Sequence, residues 1–117
     1  MNYSVKSIEV FERQAKKLIK KYPSLKSELS ELTQELKQDP FQGISLGKNC
    51  YKIRIAIKSK RKGKSGGARV ISNALVSKNT VYLLFIYDKA DKDNLTDNEL
   101  EDLLQHVPDW EWRMDNW

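Results

Sequence analysis

Residues Tyr51 to Lys58 read YKIRIAIK, with Tyr51, Ile53, Ile55 and Ile57 alternating with Lys52, Arg54, Ala56 and Lys58. Side chains two apart on an extended chain share a face. The alternation therefore predicts a strand with one apolar face and one largely basic face. Lys52, Arg54 and Lys58 are expected to project together from the basic one. The chain then enters KSKRKGKSGGARV, Lys58 to Val70, which packs six cations and three glycines into thirteen residues without an acid. Beyond the glycines, Ala68 to Val76 reads as the next strand, with Ser77-Lys78-Asn79 as a turn. Thr80 to Tyr87 (TVYLLFIY) is continuously apolar, as a central strand covered on both faces should be.

The flanks are helical. Tyr3 to Ile8 can form a short strand, after which Ser7 is placed as the N-cap of a helix. Its apolar positions are Val10, Phe11, Ala15, Leu18, Ile19 and Tyr22. Pro23 ends this helix and Ser24 can open a second. Leu25, Leu29, Leu32 and Leu36 form one stripe there, stopped by Asp39-Pro40. Fewer than two heptads are present, so the stripe reads as domain core rather than as a coiled-coil seam. A very short connection predicts an antiparallel helical hairpin. Asp88 to Asn94 is a loop, and Thr96 caps a last helix running to about Gln105, with Asn98 and Glu99 in its first turn. The expected fold is α+β, in the order β-α-α-β-β-β-α, with an antiparallel sheet packed against the helical hairpin. Residues 1–107 form one domain, and 108–117 (PDWEWRMDNW) form an acidic tail holding all three tryptophans.

Composition narrows the function classes. A chain of 117 residues suits one compact domain. No apolar run approaches the ~20 residues that span a bilayer, and Met1 to Val5 lacks the apolar core of a signal peptide. Cys50 is the single cysteine, which excludes an internal disulfide and fits a reducing cytoplasm, the expected location. A buried structural thiol is the expected role of Cys50, since His106, the only histidine, is far away in sequence. The net charge of +5 is unevenly spread: residues 40–87 carry ten cations and no acid, whereas 88–117 carry three cations and ten acids. An acid-free middle suggests a polyanionic partner, of which nucleic acid is the commonest.

The basic stretch admits several readings. Gly63-Lys64-Ser65 ends like a nucleotide-binding loop, but the glycine required five positions earlier is Lys58, and a strand follows where a helix should. Lys60-Arg61-Lys62 resembles an import signal, which leaves the basic flanking strands unaccounted for. An exposed hairpin tip accounts for lysines and glycines, yet Lys52 and Arg54 on the incoming strand and Arg69 on the outgoing one bring cations onto the sheet surface as well. That convergence suits a phosphodiester.

GKNCYKIRIAIKSKRKGKSGGARVI, followed by VYLLFIYDKAD, resembles the RelE/ParE superfamily of bacterial toxins, closest to its RelE/HigB branch. Its most specific pieces are Tyr51-Lys52-Ile53-Arg54, the Gly-Lys-Ser-Gly-Gly-x-Arg segment, and the strand ending Tyr87-Asp88-Lys89. The resemblance implies a type II toxin that cuts messenger RNA in the ribosomal A site and is silenced by a cognate antitoxin. It matches Lys52, Arg54, Lys64, Arg69 and Lys89 to catalytic positions. Better-known relatives place a tyrosine in the C-terminal segment over the scissile bond; here 91–105 has none, leaving that role vacant or to Tyr87.

The expected chemistry is attack by the 2′-hydroxyl on the adjacent phosphate. Arg69 and Arg54 clamp the phosphate through their two-pronged guanidinium groups. Lys52 or Lys64 is the general base, a role that needs neighbouring cations to favour a neutral amine. Lys89 protonates the leaving 5′-oxygen and Tyr87 stacks on a base. Lys58, Lys60, Arg61 and Lys62 are expected to bind substrate. No cofactor or metal is required. The partners are mRNA, ribosomal RNA and the antitoxin, the last expected to lay an acidic or amphipathic segment on this face or to displace the last helix. No membrane partner is expected. The alternatives are a ParE-like non-enzymatic gyrase inhibitor and a non-cleaving RNA- or ribosome-binding module.

Overall fold

The computed structural model describes residues 2–61 and 63–108. Lys62 and nearly all of the tryptophan-rich tail lie outside the described residues. Chain order is β1 (Ser4–Ser7), α1 (Glu9–Lys21), α2 (Leu25–Gln38), β2 (Ile44–Gly47), β3 (Cys50–Ile55), β4 (Ala68–Leu75), β5 (Thr80–Asp88) and α3 (Asp97–Leu104). The five strands form one sheet ordered β1-β5-β4-β3-β2. This is the expected α+β architecture with two additions. One is the short strand β2, joined to β3 through Lys48 and Asn49, both at positive φ (54° and 60°), as a tight two-residue hairpin turn demands. The other is that β1 runs parallel to β5, so the sheet is mixed rather than purely antiparallel.

Helix α1 buries Phe11 and Ala15, and α2 buries Leu25, Leu32 and Leu36, against one face of the sheet. The α1 boundary differs by one residue from the expected cap: Ile8 holds the N-cap position, and the Ser7 hydroxyl donates instead to the Glu12 carboxylate at 2.9 Å. At α3 the cap is as expected. Thr96 accepts from the Glu99 N–H at 3.1 Å and the Glu99 carboxylate accepts from the Thr96 N–H at 2.9 Å, a complete capping box. β5 is buried along nearly its whole length, and it lies between β1 and β4.

Strand β3 ends at Ile55, earlier than the alternation predicts. Lys58 therefore stands in a tight turn, Lys58–Lys60, and does not share a strand face with Lys52 and Arg54. Its backbone N–H donates to the buried Glu28 carboxylate at 3.0 Å, which ties the turn to α2. The glycine pair has a steric reason. A Cβ on Gly67 would lie 2.0 Å from the Ile55 carbonyl oxygen, so only glycine lets the returning chain enter β4 this close to β3.

Candidate RNA-binding and cleavage site

Cross-strand register assembles the site. Arg54 on β3 stands opposite Arg69 on β4, and Arg69 stands opposite Tyr87 on β5. Two residues along, about 6.7 Å away, the corresponding row is Lys52, Ile71 and Phe85. Directly opposed like charges are unfavourable, so the Arg54–Arg69 pair needs compensation. Arg69 finds it in backbone carbonyls: Nη1 donates to Lys64 O at 2.8 Å and Ala68 O at 3.2 Å, and Nη2 donates to Ser65 O at 3.1 Å. Arg69 is only 3% exposed. Burial and the neighbouring Arg54 charge pull its pKa down, opposed by Tyr87, yet a guanidinium stays a cation in any such setting.

The arginine thus braces the glycine-rich loop, and Lys64 is held there in an exposed position. Arg54 is likewise exposed. Arg54, Lys58 and Lys64 line one side of a cleft whose other wall is the carboxylate row Glu28, Glu31 and Glu35 of α2. These glutamates border an acid-free stretch of sequence that is not acid-free in space.

The segment after β5 lies across the other end of the rows. Lys89 N–H donates to Gly67 O at 3.0 Å, joining the two loops. The Lys89 ammonium pairs with the Asp93 carboxylate, and Lys52 Nζ donates to Asn94 Oδ1 at 2.7 Å. The Tyr87 hydroxyl donates to Asp93 O at 3.3 Å, and its ring sits 6.1 Å from that of Phe85. Tyr87 is 5% exposed. Burial raises its pKa, helped by the Asp93 and Glu99 charges and opposed by Arg69. Residues 93 and 94 therefore form a strap over Tyr87 and Lys52.

Lys60 is placed differently from its neighbours. Its ammonium lies 2.6 Å from Asp88, with the two side chains 10% and 1% exposed. Asp88 also accepts from the Tyr22 hydroxyl at 3.2 Å and the Ala90 N–H at 3.0 Å. Arg61 is exposed and adopts positive φ (56°) where the turn closes.

Residues 6–111 match the family described as the RelE toxin of the RelE/RelB toxin–antitoxin system. The chain belongs to the RelE toxin family. Membership implies a cognate antitoxin as partner. Among solved structures, a double arginine-to-alanine mutant of the E. coli toxin RelE in the free state superposes with a TM-score of 0.59. The alignment covers 92% of this chain and 99% of that one at 16% identity, a likeness of fold. The isolated E. coli RelE toxin in its P21 form aligns at 17% identity over 90% of this chain and 99% of that one, with a TM-score of 0.48.

For this RelE-family toxin, the structure brings Arg54, Lys64, Arg69, Tyr87 and Lys89 to neighbouring positions around the two joined loops, with Lys52 under the strap. Lys60 faces the helical hairpin rather than this row. Three contributors escaped the sequence reading: Asp88, Asp93 and Glu28. Asp88 had one available signal, being the first acid after a 48-residue stretch without any. Glu28 had none, since a polar residue on α2 reads as solvated until the turn at Lys58 is seen to reach it. Among the described residues no helix is long and apolar enough to cross a membrane.

Proposed function

We propose that this toxin is a ribosome-dependent endoribonuclease that cleaves mRNA in the A site by 2′-hydroxyl attack on the adjacent phosphate. The observation that carries the reading is the Arg54–Arg69–Tyr87 row, flanked by Lys64 on one loop and Lys89 on the other. Arg54 and Lys64, both exposed, meet the phosphate oxygens first. Arg69 completes the positive field from beneath while holding the loop that carries Lys64. Fixed cations need no reorganisation as charge grows on the phosphorane, and losing one such group typically costs about 10²–10³ in rate. The 2′-oxygen bonds to phosphorus as its proton passes to Lys64 or Lys52, and the bond to the 5′-oxygen breaks as Lys89 supplies a proton to it. The products are a 2′,3′-cyclic phosphate and a 5′-hydroxyl. These cations supply the charge neutralisation, so the reaction is assigned no metal. Tyr87 stacks on a base once the strap at Asp93 and Asn94 moves.

Primer extension on a translated mRNA, run with and without ribosomes, tests the proposal. Stops within the reading frame that require ribosomes and vanish in Arg54→Ala support it. Translation arrest without cut mRNA identifies a non-cleaving ribosome binder, and inhibition of DNA gyrase in place of translation identifies a gyrase inhibitor.

A further inference from the structure

The strap at Asp93 and Asn94 engages groups that an RNA strand would need. Lys89 and Lys52, both assigned to the reaction, already have partners in it. The Asp93 carboxylate pairs with Lys89, and the Asn94 side-chain oxygen accepts from Lys52 Nζ at 2.7 Å. The Asp93 carbonyl also accepts from the Tyr87 hydroxyl at 3.3 Å. Arg54 and Lys64 carry no ion pair among the described residues and stay open. A carboxylate offers an ammonium what a phosphate offers it, anionic oxygens that accept charge-assisted hydrogen bonds. Asp93 thus stands where the RNA backbone has to meet Lys89.

The strap is firm at its ends and lightly held in its middle. Before it, the Asp91 N–H donates to Asp88 O at 3.0 Å and the Lys89 N–H to Gly67 O at 3.0 Å. After it comes the Thr96–Glu99 capping box, and Lys92 Nζ reaches forward to the Glu99 carboxylate at 2.8 Å. Among the described residues, no backbone-to-backbone hydrogen bond holds 92–95 between these anchors. Leu95 adds partial packing against the core. The Lys89 and Asp93 side chains are 35% and 81% exposed, and water and salt weaken such a pair. A segment held by a few exposed polar contacts opens locally without unfolding the domain.

We propose that Asp93 and Asn94 are specificity-determining residues: by occupying Lys89 and Lys52 they shut free RNA out of the site and leave cleavage to mRNA that the ribosome presents. The inference rests on the cleavage reading above. Free RNA has to displace both contacts at its own concentration. Minor conformers are commonly populated at ~0.1–10%, and a site open for that fraction of the time binds more weakly by the same factor. An mRNA held by the ribosome arrives in one orientation at a high effective concentration, which outweighs a penalty of that size. Asp93 acts through charge and Asn94 through a neutral hydrogen bond, so their joint effect separates from a general change of charge.

The test measures, without ribosomes, binding of a short single-stranded RNA carrying 2′-O-methyl groups, which block cleavage. Cutting of the same sequence with free 2′-hydroxyls is followed alongside ribosome-dependent cutting. Both residues are exposed, so each variant should melt as wild type does. Asp93→Ala and Asn94→Ala should each tighten binding, and together by about tenfold or more. Asp93→Glu keeps a carboxylate within reach of Lys89 and should bind as weakly as wild type. Asp91→Ala removes the same charge from a carboxylate without a hydrogen bond or ion pair among the described residues, and should leave binding close to wild type. In the double variant the ratio of ribosome-dependent to free-RNA cutting should fall about tenfold. Unchanged binding in the double variant, or an equal gain in Asp91→Ala, overturns the proposal. If wild type cuts no mRNA on ribosomes but the double variant gains binding over the Asp91→Ala control, the blocking role stands and the cleavage reading falls. If wild type cuts on ribosomes and the double variant gains nothing, the blocking role alone falls.

Discussion

Replacing Asp88 by Ala should destabilise this small domain more than any change on its basic face. Three donors converge on the Asp88 carboxylate: the Lys60 ammonium, the Tyr22 hydroxyl and the Ala90 N–H. With the carboxylate removed, all three lose their acceptor where water has little access. Truncating one partner of a buried ion pair costs about 3–5 kcal/mol. Lys60 keeps 10% of its side-chain surface exposed, which favours the lower end, about 3 kcal/mol. Total stability for a domain of this kind is about 5–15 kcal/mol, so the loss should be plain in urea denaturation and should lower the melting temperature by roughly 10–15 °C. Lys60→Met alone should cost less, since Asp88 keeps its other two donors. The double variant should fall short of the summed single effects by about 1–3 kcal/mol. Burial by itself pushes the Asp88 carboxyl up, but the hydrogen bond and charge of Lys60, with the Ala90 and Tyr22 bonds, outweigh it and hold the folded value below the ordinary 3.8. A carboxyl depressed in this way contributes fully above its unfolded value and loses that contribution as pH falls through the folded one. The gap between wild type and Asp88→Ala should therefore be constant near neutrality and close below about pH 4. A loss under about 1 kcal/mol, or strict additivity with Lys60→Met, would refute the buried-pair account.

Further outcomes follow from the same contacts. Arg54→Ala, on an exposed side chain, should leave urea stability within about 0.5 kcal/mol of wild type while lowering ribosome-dependent cleavage about 10²–10³-fold; an equal fall in stability would mean the arginine is structural. Arg69→Ala should lower both, because its guanidinium holds Lys64 O and Ser65 O, and retained cleavage would remove Arg69 from the clamp. Gly67→Ala places a methyl 2.0 Å from Ile55 O and should cost about 1–3 kcal/mol by denaturation, as overpacking does. Thr96→Ala breaks the capping box of α3 and should cost about 1 kcal/mol, read most directly as faster hydrogen exchange in residues 97–104.

Element types were legible because their signals are local. The alternation from Tyr51 to Ile57, the leucine stripe from Leu25 to Leu36 and the Thr96–Glu99 cap each follow from a few neighbouring residues and the period of the backbone they adopt. The strand β2 escaped because ISLG is only four residues long and largely exposed, so its alternation is too brief to signal a strand; it is a strand because β3 offers an edge for it to pair with. The parallel pairing of β1 with β5 was equally out of reach, since its partners are some seventy-six residues apart.

The candidate site divides in the same way. By itself the sequence determined which residue types could handle a phosphodiester, since the chemistry of lysine and arginine travels with the side chain. Only the tertiary structure decided which of those charges remain available. Lys60 meets Asp88 across 28 residues, Lys48 meets Glu101 across 53, and Arg69 is turned into the loop that precedes it. Coulomb attraction and desolvation depend on distance and burial in space. A count along the chain therefore found the basic region, while only the fold showed which of its charges are already paired and which, like those of Arg54 and Lys64, stay exposed.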